Sequence, residues 1–142
     1  MTRSTIVDQL ITDLETKLNS NEGYKCDLTK VYRGYFQWDD IKQTPALAIT
    51  VIGDDPYQDE FGSNVQSFRK LKLMTYGYSK SNGTPQPIHD LLEDFESFLY
   101  SDDFTYRDYL VEQLGTVEVY EGGNNDPALI FQIEWNLIYH KE

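Results

Sequence analysis

The C-terminal stretch from Val117 to His140 limits what this chain can fold into more than any other part. It reads Val-Glu-Val-Tyr, then Glu-Gly-Gly-Asn-Asn-Asp-Pro, then Ala-Leu-Ile-Phe-Gln-Ile-Glu-Trp-Asn-Leu-Ile-Tyr-His. That is a hairpin with an unusually long second strand. Strand side chains alternate, so Leu129, Phe131, Ile133, Trp135, Leu137 and Tyr139 share one face. Gln132, Glu134 and Asn136 lie at the centre of the other. At about 3.3 Å per residue the strand spans roughly 40 Å. It either runs the full length of a sheet or projects beyond it.

The chain has 142 residues, one domain by size, and is long enough to bury a core without metal or disulfide staples. Charged residues make up 25% and aromatics 14%, a globular balance. The single Cys26 excludes an internal disulfide. The N-terminus lacks the apolar run of a signal peptide, and no stretch approaches the ~20 apolar residues of a membrane span. The formal net charge is −12, with 24 acids against 12 bases. From Ser81 to Tyr106 there are six acids and no Lys or Arg. Duplex-binding proteins need a basic footprint, which this chain lacks. The surplus fits solubility, a surface that DNA slides past, or a surface that imitates DNA.

Helical spacing of Ile6, Val7, Leu10, Ile11, Leu14 and Leu18 predicts a helix over Thr5 to Leu18, capped by Ser4 or Thr5, with Asp8 completing a capping box. Strands are expected over Val31–Phe36 and Ala46–Ile52, the latter inside the sheet because both its faces are apolar or small. Gly53 to Asn64 reads as a polar, acidic loop, near the upper limit for a structureless connection. Gln66 to Tyr78 reads as a second long strand. Its Lys70 and Lys72 are expected to pair across strands with Glu134. Thr84 and Pro85 introduce a second helix. Its apolar stripe is Ile88, Leu91, Leu92, Phe95, Phe98 and Leu99, and its wet face Glu93, Asp94, Glu96 and Ser97. Phe104 to Leu114 fits either a short helix or an irregular strand. The expected class is α+β: a mixed, mainly antiparallel sheet of about five strands with two amphipathic helices on one face, residues 1–142 forming a single domain.

Chemistry is sparse. His89 and His140 are the only histidines, and no zinc-type spacing occurs. Catalytic triads assemble in space, so spacing does not exclude one, but nothing local marks a nucleophile. Cys26 reads as inert. The run Glu121-Gly-Gly-Asn-Asn lacks the lysine and helix of a phosphate loop and reads as a hairpin turn. Asp54, Asp55, Asp59 and Glu60 are hard-cation ligand types, but the calcium-loop glycine and terminal glutamate are missing. The expectation is no catalytic, cofactor or metal site. The 11 tyrosines sit largely among acids, which suits protein interfaces better than base stacking.

The order of these features resembles the tail terminator, or tail-completion, proteins of long-tailed bacteriophages, of the lambda type. The resemblance rests on an N-terminal amphipathic helix, a strand ending near Arg33-Gly34, Pro-Ala-Leu-Ala-Ile-Thr-Val, and an acidic loop. Then come Arg-Lys-Leu-Lys-Leu-Met-Thr-Tyr-Gly-Tyr, the Leu-Leu-Glu-Asp-Phe-Glu-Ser-Phe-Leu helix, and the Val-Tyr-Glu-Gly-Gly hairpin. It covers nearly the whole chain and includes no catalytic signature. It implies a non-enzymatic virion protein that forms a homo-hexameric ring at the head-proximal end of the tail tube. The ring ends tube polymerisation, presents a surface to the head connector or neck protein, and lets DNA through without specific binding. It implies host cytoplasm during assembly, the virion tail afterwards, and no membrane. Another head–tail joining or neck protein, or an acidic DNA mimic or binding module, are the alternatives.

A ring subunit presents two different complementary patches. Charge and loop length nominate Arg33, Asp54, Asp55, Asp59, Glu60, Arg69, Lys70 and Lys72 as subunit-interface candidates. Long strands could also add to a neighbour's sheet edge. The hairpin tip, Glu121, Gly122, Gly123, Asn124, Asn125 and Asp126, is the candidate lumen or partner-contact loop.

Overall fold

The structure, a computed structural model, describes residues 2–58, 64–109, 111–123 and 126–140, with the side chains of all but 58, 64–67 and 112–115. Two helices, α1 (Arg3–Lys17) and α2 (Gln86–Leu99), accompany five strands: β1 (Lys30–Arg33), β2 (Ala46–Gln58), β3 (Asn64–Lys80), β4 (Val111–Tyr120) and β5 (Ala128–His140). The sheet order is β1-β2-β3-β5-β4. β1 runs parallel to β2, and every other neighbour is antiparallel. The expected α+β class holds.

Both helices pack on the face that carries Leu47, Ile49, Leu71, Leu73, Phe131, Ile133, Trp135 and Leu137. The alternation expected of the last strand is realised along all of β5. Its six apolar residues on this face are at most 2% exposed. Burying each large side chain stabilises by about 1.5–3 kcal/mol, which fixes the register of β5, because a one-residue slip would exchange its faces. Inside the core the Trp135 indole N–H donates to Thr75 Oγ1 at 2.9 Å. Gly77 lies opposite Phe131 in the ladder. A Cβ there would sit 1.9 Å from the Phe131 ring, so only glycine admits the ring.

On the other face, the connection from Gly34 to Pro45 folds back over the β1–β2–β3 end. Tyr32, Phe36, Trp38 and Ile41 cover Ala46, Ala48 and Tyr78, and the Tyr78 hydroxyl donates to the Phe36 carbonyl. β1 therefore stops at Arg33, short of the expected Phe36. Gly34, at φ 95°, turns the chain out of the sheet.

Several boundaries differ from expectation. α1 begins two residues earlier: Thr2 is the cap and its Oγ1 accepts the Thr5 N–H at 3.2 Å. Asp8 makes no capping box and instead accepts from Arg33 at 3.1 Å. In α2 the capping position is Pro85, although Thr84 Oγ1 still accepts the Gln86 N–H at 3.3 Å. Residues 101–109 form successive turns before β4 starts at Val111, neither a helix nor a strand. The largest difference is the acidic loop. β2 continues through Gln58 and β3 starts at Asn64, so most of the expected loop is strand. A β-bulge between Val51 and Gly53 is the reason: it absorbs Ile52 and lets pairing resume through Gly53, Asp54, Asp55 and Pro56.

Candidate interaction surfaces

The bulge decides the fate of Asp54. Strict alternation from Leu47, Ile49 and Val51 would put residue 54 on the open face. The extra residue turns it to the helix face, opposite Leu71. There its side chain is 5% exposed. One carboxylate oxygen accepts from Arg3 at 2.8 Å and from the Tyr139 hydroxyl at 2.7 Å. The other accepts from Arg69 Nε at 3.0 Å, while Arg69 also donates to the Asp54 carbonyl at 2.8 Å. Burial first, and then the neighbouring Asp54 charge, push the Tyr139 phenol up to about 12. The start of α1, the root of the β2–β3 hairpin and the end of β5 thus meet on one carboxylate.

Other interface candidates also have partners within the chain. Asp55, on the open face, pairs with Lys72 at 2.8 Å, and that ammonium holds its carboxyl below the ordinary range. Lys72 faces Asn136 in the ladder and Met74 faces Glu134. The expected direct pairing of Lys70 or Lys72 with Glu134 therefore gives way to a diagonal relation for Lys72, whose close partner is Asp55. Lys70 lies between Asp55 and Ile138. Arg33 pairs with Asp8, both exposed, a contact worth about 0–1 kcal/mol. Asp59, Glu60, Asn124 and Asn125 lie outside the described residues.

Two further buried carboxylates escaped the sequence reading. Asp94, expected on the wet face of α2, is 4% exposed. It accepts the backbone N–H groups of Lys25 at 3.1 Å and Cys26 at 2.8 Å. Asp13 is 8% exposed and accepts from the Gln9 amide at 2.7 Å and the Thr105 N–H at 2.9 Å. Both fall on the apolar stripes of their helices, Asp13 between Leu10 and Leu14 and Asp94 between Leu91 and Phe95. Helical spacing was the signal that could have found them. Each holds an irregular segment to a helix by satisfying its backbone donors. Burial, then the charges of Asp94, Asp90 and Asp27, push the Cys26 thiol up to about 12, so it stays protonated and unreactive at neutral pH.

On either side of the hairpin tip Gly123 and Asp126 form an antiparallel bridge. Gly122 has φ 76°, and a Cβ there would meet the Asp126 carbonyl at 2.8 Å. The Tyr120 hydroxyl donates to Asp126 at 2.6 Å. Glu121 lies 2.6 Å from His89 Nε2, linking the tip to the first turn of α2.

The sheet order also sorts charge. Residues 1–80 hold ten bases and eleven acids, and residues 81–142 two bases and thirteen acids. The first set builds α1 and β1–β3, the second α2, β4 and β5. One half of the molecule is close to neutral, and the other, ending in the β4 edge, is strongly acidic. Among the described residues no group of His, Cys, Asp or Glu is placed to hold a metal ion. Asp54 and Asp55 fall on opposite faces and each pairs with a base. Among the described residues no helix is long and apolar enough to cross a membrane. No protein-family model matches the chain, and no match is found among curated proteins.

Proposed function

We propose that this protein is an assembly subunit that joins copies of itself into a ring at the head-proximal end of a phage tail tube. It ends tube growth there and offers a surface to the head connector, with DNA passing through the lumen. The observation that carries this reading is the β2–β3 hairpin. β3 meets the end of β5 at Phe68 opposite His140, yet it begins at Asn64 and pairs there with Gln58 of β2. Over Asn64–Phe68 the hairpin thus extends about 13 Å past the described end of β5 at His140. An arm rooted in the Asp54 cluster is a means of reaching a neighbouring subunit.

Two further features support it. The element order resembles that of tail terminators over nearly the whole chain, and the acid surplus suits a lumen to which DNA must not adhere. Under this reading the protein acts by assembly and not by catalysis. Charge concentrated on α2, β4 and β5 favours the DNA-mimic alternative, but a mimic needs carboxylates in regular rows. Asp94 points inward instead, and Glu93 pairs with Lys25.

Negative-stain microscopy of the purified protein with tail-tube protein tests the proposal. Rings as wide as the tube, seated on tube ends, are the expected result. A strict monomer that leaves tube length unchanged would sink it.

A further inference from the structure

We propose that the outer edge of β4, over Glu118–Tyr120, receives an extended basic segment of a partner polypeptide as an added strand. The inference is independent of ring formation.

Among the described residues β4 is the last strand of the sheet and pairs only with β5. Its outer N–H and C=O groups form an open template. Thr116, Glu118, Val119 and Tyr120 are exposed, and Val119 and Tyr120 belong to the few large apolar side chains that are. The edge formed by β1 and β2 is guarded. β1 has four residues and ends at Arg33, before the turn at Gly34. Beyond β1, the exposed side of β2 contains Pro56, which has no N–H, and the Asp54 carbonyl is taken by Arg69. From Val111 to Tyr120 β4 contains neither proline nor lysine, the usual edge guards. The bulge between Leu114 and Glu118 takes up Thr116 and Val117 and leaves Glu118–Tyr120 in regular register.

Charge selects the occupant. Glu118, Glu121 and Asp126 flank the edge, and no Lys or Arg occurs from Val111 through His140. A shallow groove of about 170 Å³ runs between Glu118, Val119, Tyr120 and the neighbouring Ile130 and Gln132. A strand with Lys or Arg on the Glu118 face, where this groove lies, and apolar residues on the opposite face beside the exposed Val119 suits the edge. Main-chain hydrogen bonds supply affinity and the charges supply selection. A second copy fits poorly, because two β4 edges would bring Glu118 and its equivalents together, and like charges across strands repel.

The test is amide NMR and hydrogen exchange on the full chain, titrated with the peptide Lys-Val-Lys-Val-Lys-Val-Lys. Three comparisons are run: the peptide N-methylated at its valines, its Glu-for-Lys analogue, and the E118Q/E121Q protein. The expected result is new protection of amides within Glu118–Tyr120. N-methylation, which removes two or three hydrogen bonds, weakens binding about tenfold or more. The acidic peptide does not bind, and the protein variant binds more weakly. Equal binding of the N-methylated peptide, or shifts confined to α2, would overturn the proposal. So would protection of the same amides in a peptide-free dimer, since that makes a second copy the occupant.

Discussion

Asp54 shows how a single residue is assigned its role by its surroundings. It accepts hydrogen bonds from Arg3, Arg69 and Tyr139, so Asp54→Ala leaves three donors without their acceptor. Removing one partner of a fully buried ion pair costs about 3–5 kcal/mol. Arg3 is 55% and Arg69 26% exposed, however, and both can rehydrate. We therefore expect a loss of about 1–3 kcal/mol in urea unfolding. Alkaline pH acts on the same scale. The Cys26 thiol is raised from 9.0 to about 12, and the Tyr24 and Tyr139 phenols from 10.0 to about 12, by burial first in each case. The folded state thus holds protons that the unfolded chain releases. The stability these groups contribute is complete below pH 9 and is lost progressively between pH 9 and 12. Melting temperature measured across that range should fall steadily. A flat profile would contradict the burial of these groups.

At the scale of elements, two close approaches carry testable consequences. β3 and β5 meet where Phe131 lies over Gly77. Gly77→Ala should destabilise by about 1–3 kcal/mol, the usual cost of overpacking. Phe131→Leu in the same chain should recover part of the loss, so a double-mutant cycle reads the contact directly. The second approach is between α2 and the segment before β1. Asp94→Ala removes the acceptor for the Lys25 and Cys26 N–H groups, and should cost about 1–3 kcal/mol. It should also expose Cys26, so thiol labelling at pH 8 should speed up well before global unfolding. Unchanged labelling would mean that Asp94 does not hold this segment down.

For the whole molecule, the β2–β3 arm and the acidic half are separate features and should fail separately. Replacing residues 58–64 by a tight Asn-Gly turn leaves the Asp54 cluster and the core intact. The shortened protein should keep its fold by circular dichroism, yet lose ring formation and tube capping in micrographs. Rings that persist would move the subunit contact elsewhere. Charge on the β4 side is remote from that arm in the sheet order. Its effect should appear as salt-dependent binding of basic partners and not as a change in folding.

The sequence alone was enough for the layers of this protein. Period-two alternation from Leu129 to Tyr139 and the helical stripes of Ile6–Leu18 and Ile88–Leu99 identify which faces are buried, because apolar burial is the largest local signal a chain carries. The Gly122 turn was legible for a similar reason: few other residues adopt its backbone angles. What only the tertiary structure decided were the positions of single polar groups. A one-residue bulge at Ile52 moved Asp54 from the open face to the core, and no local pattern announces a bulge. Asp13 and Asp94 lay on apolar stripes, but their burial depends on backbone donors at Thr105, Lys25 and Cys26, far away in the chain. Whether Lys72 met Glu134 or Asp55 was settled by strand register, to which charge spacing in the sequence is blind. Hydrophobic periodicity is local and repeated, so it survives in one dimension. A hydrogen bond or ion pair has a single partner, which exists only once the chain has folded.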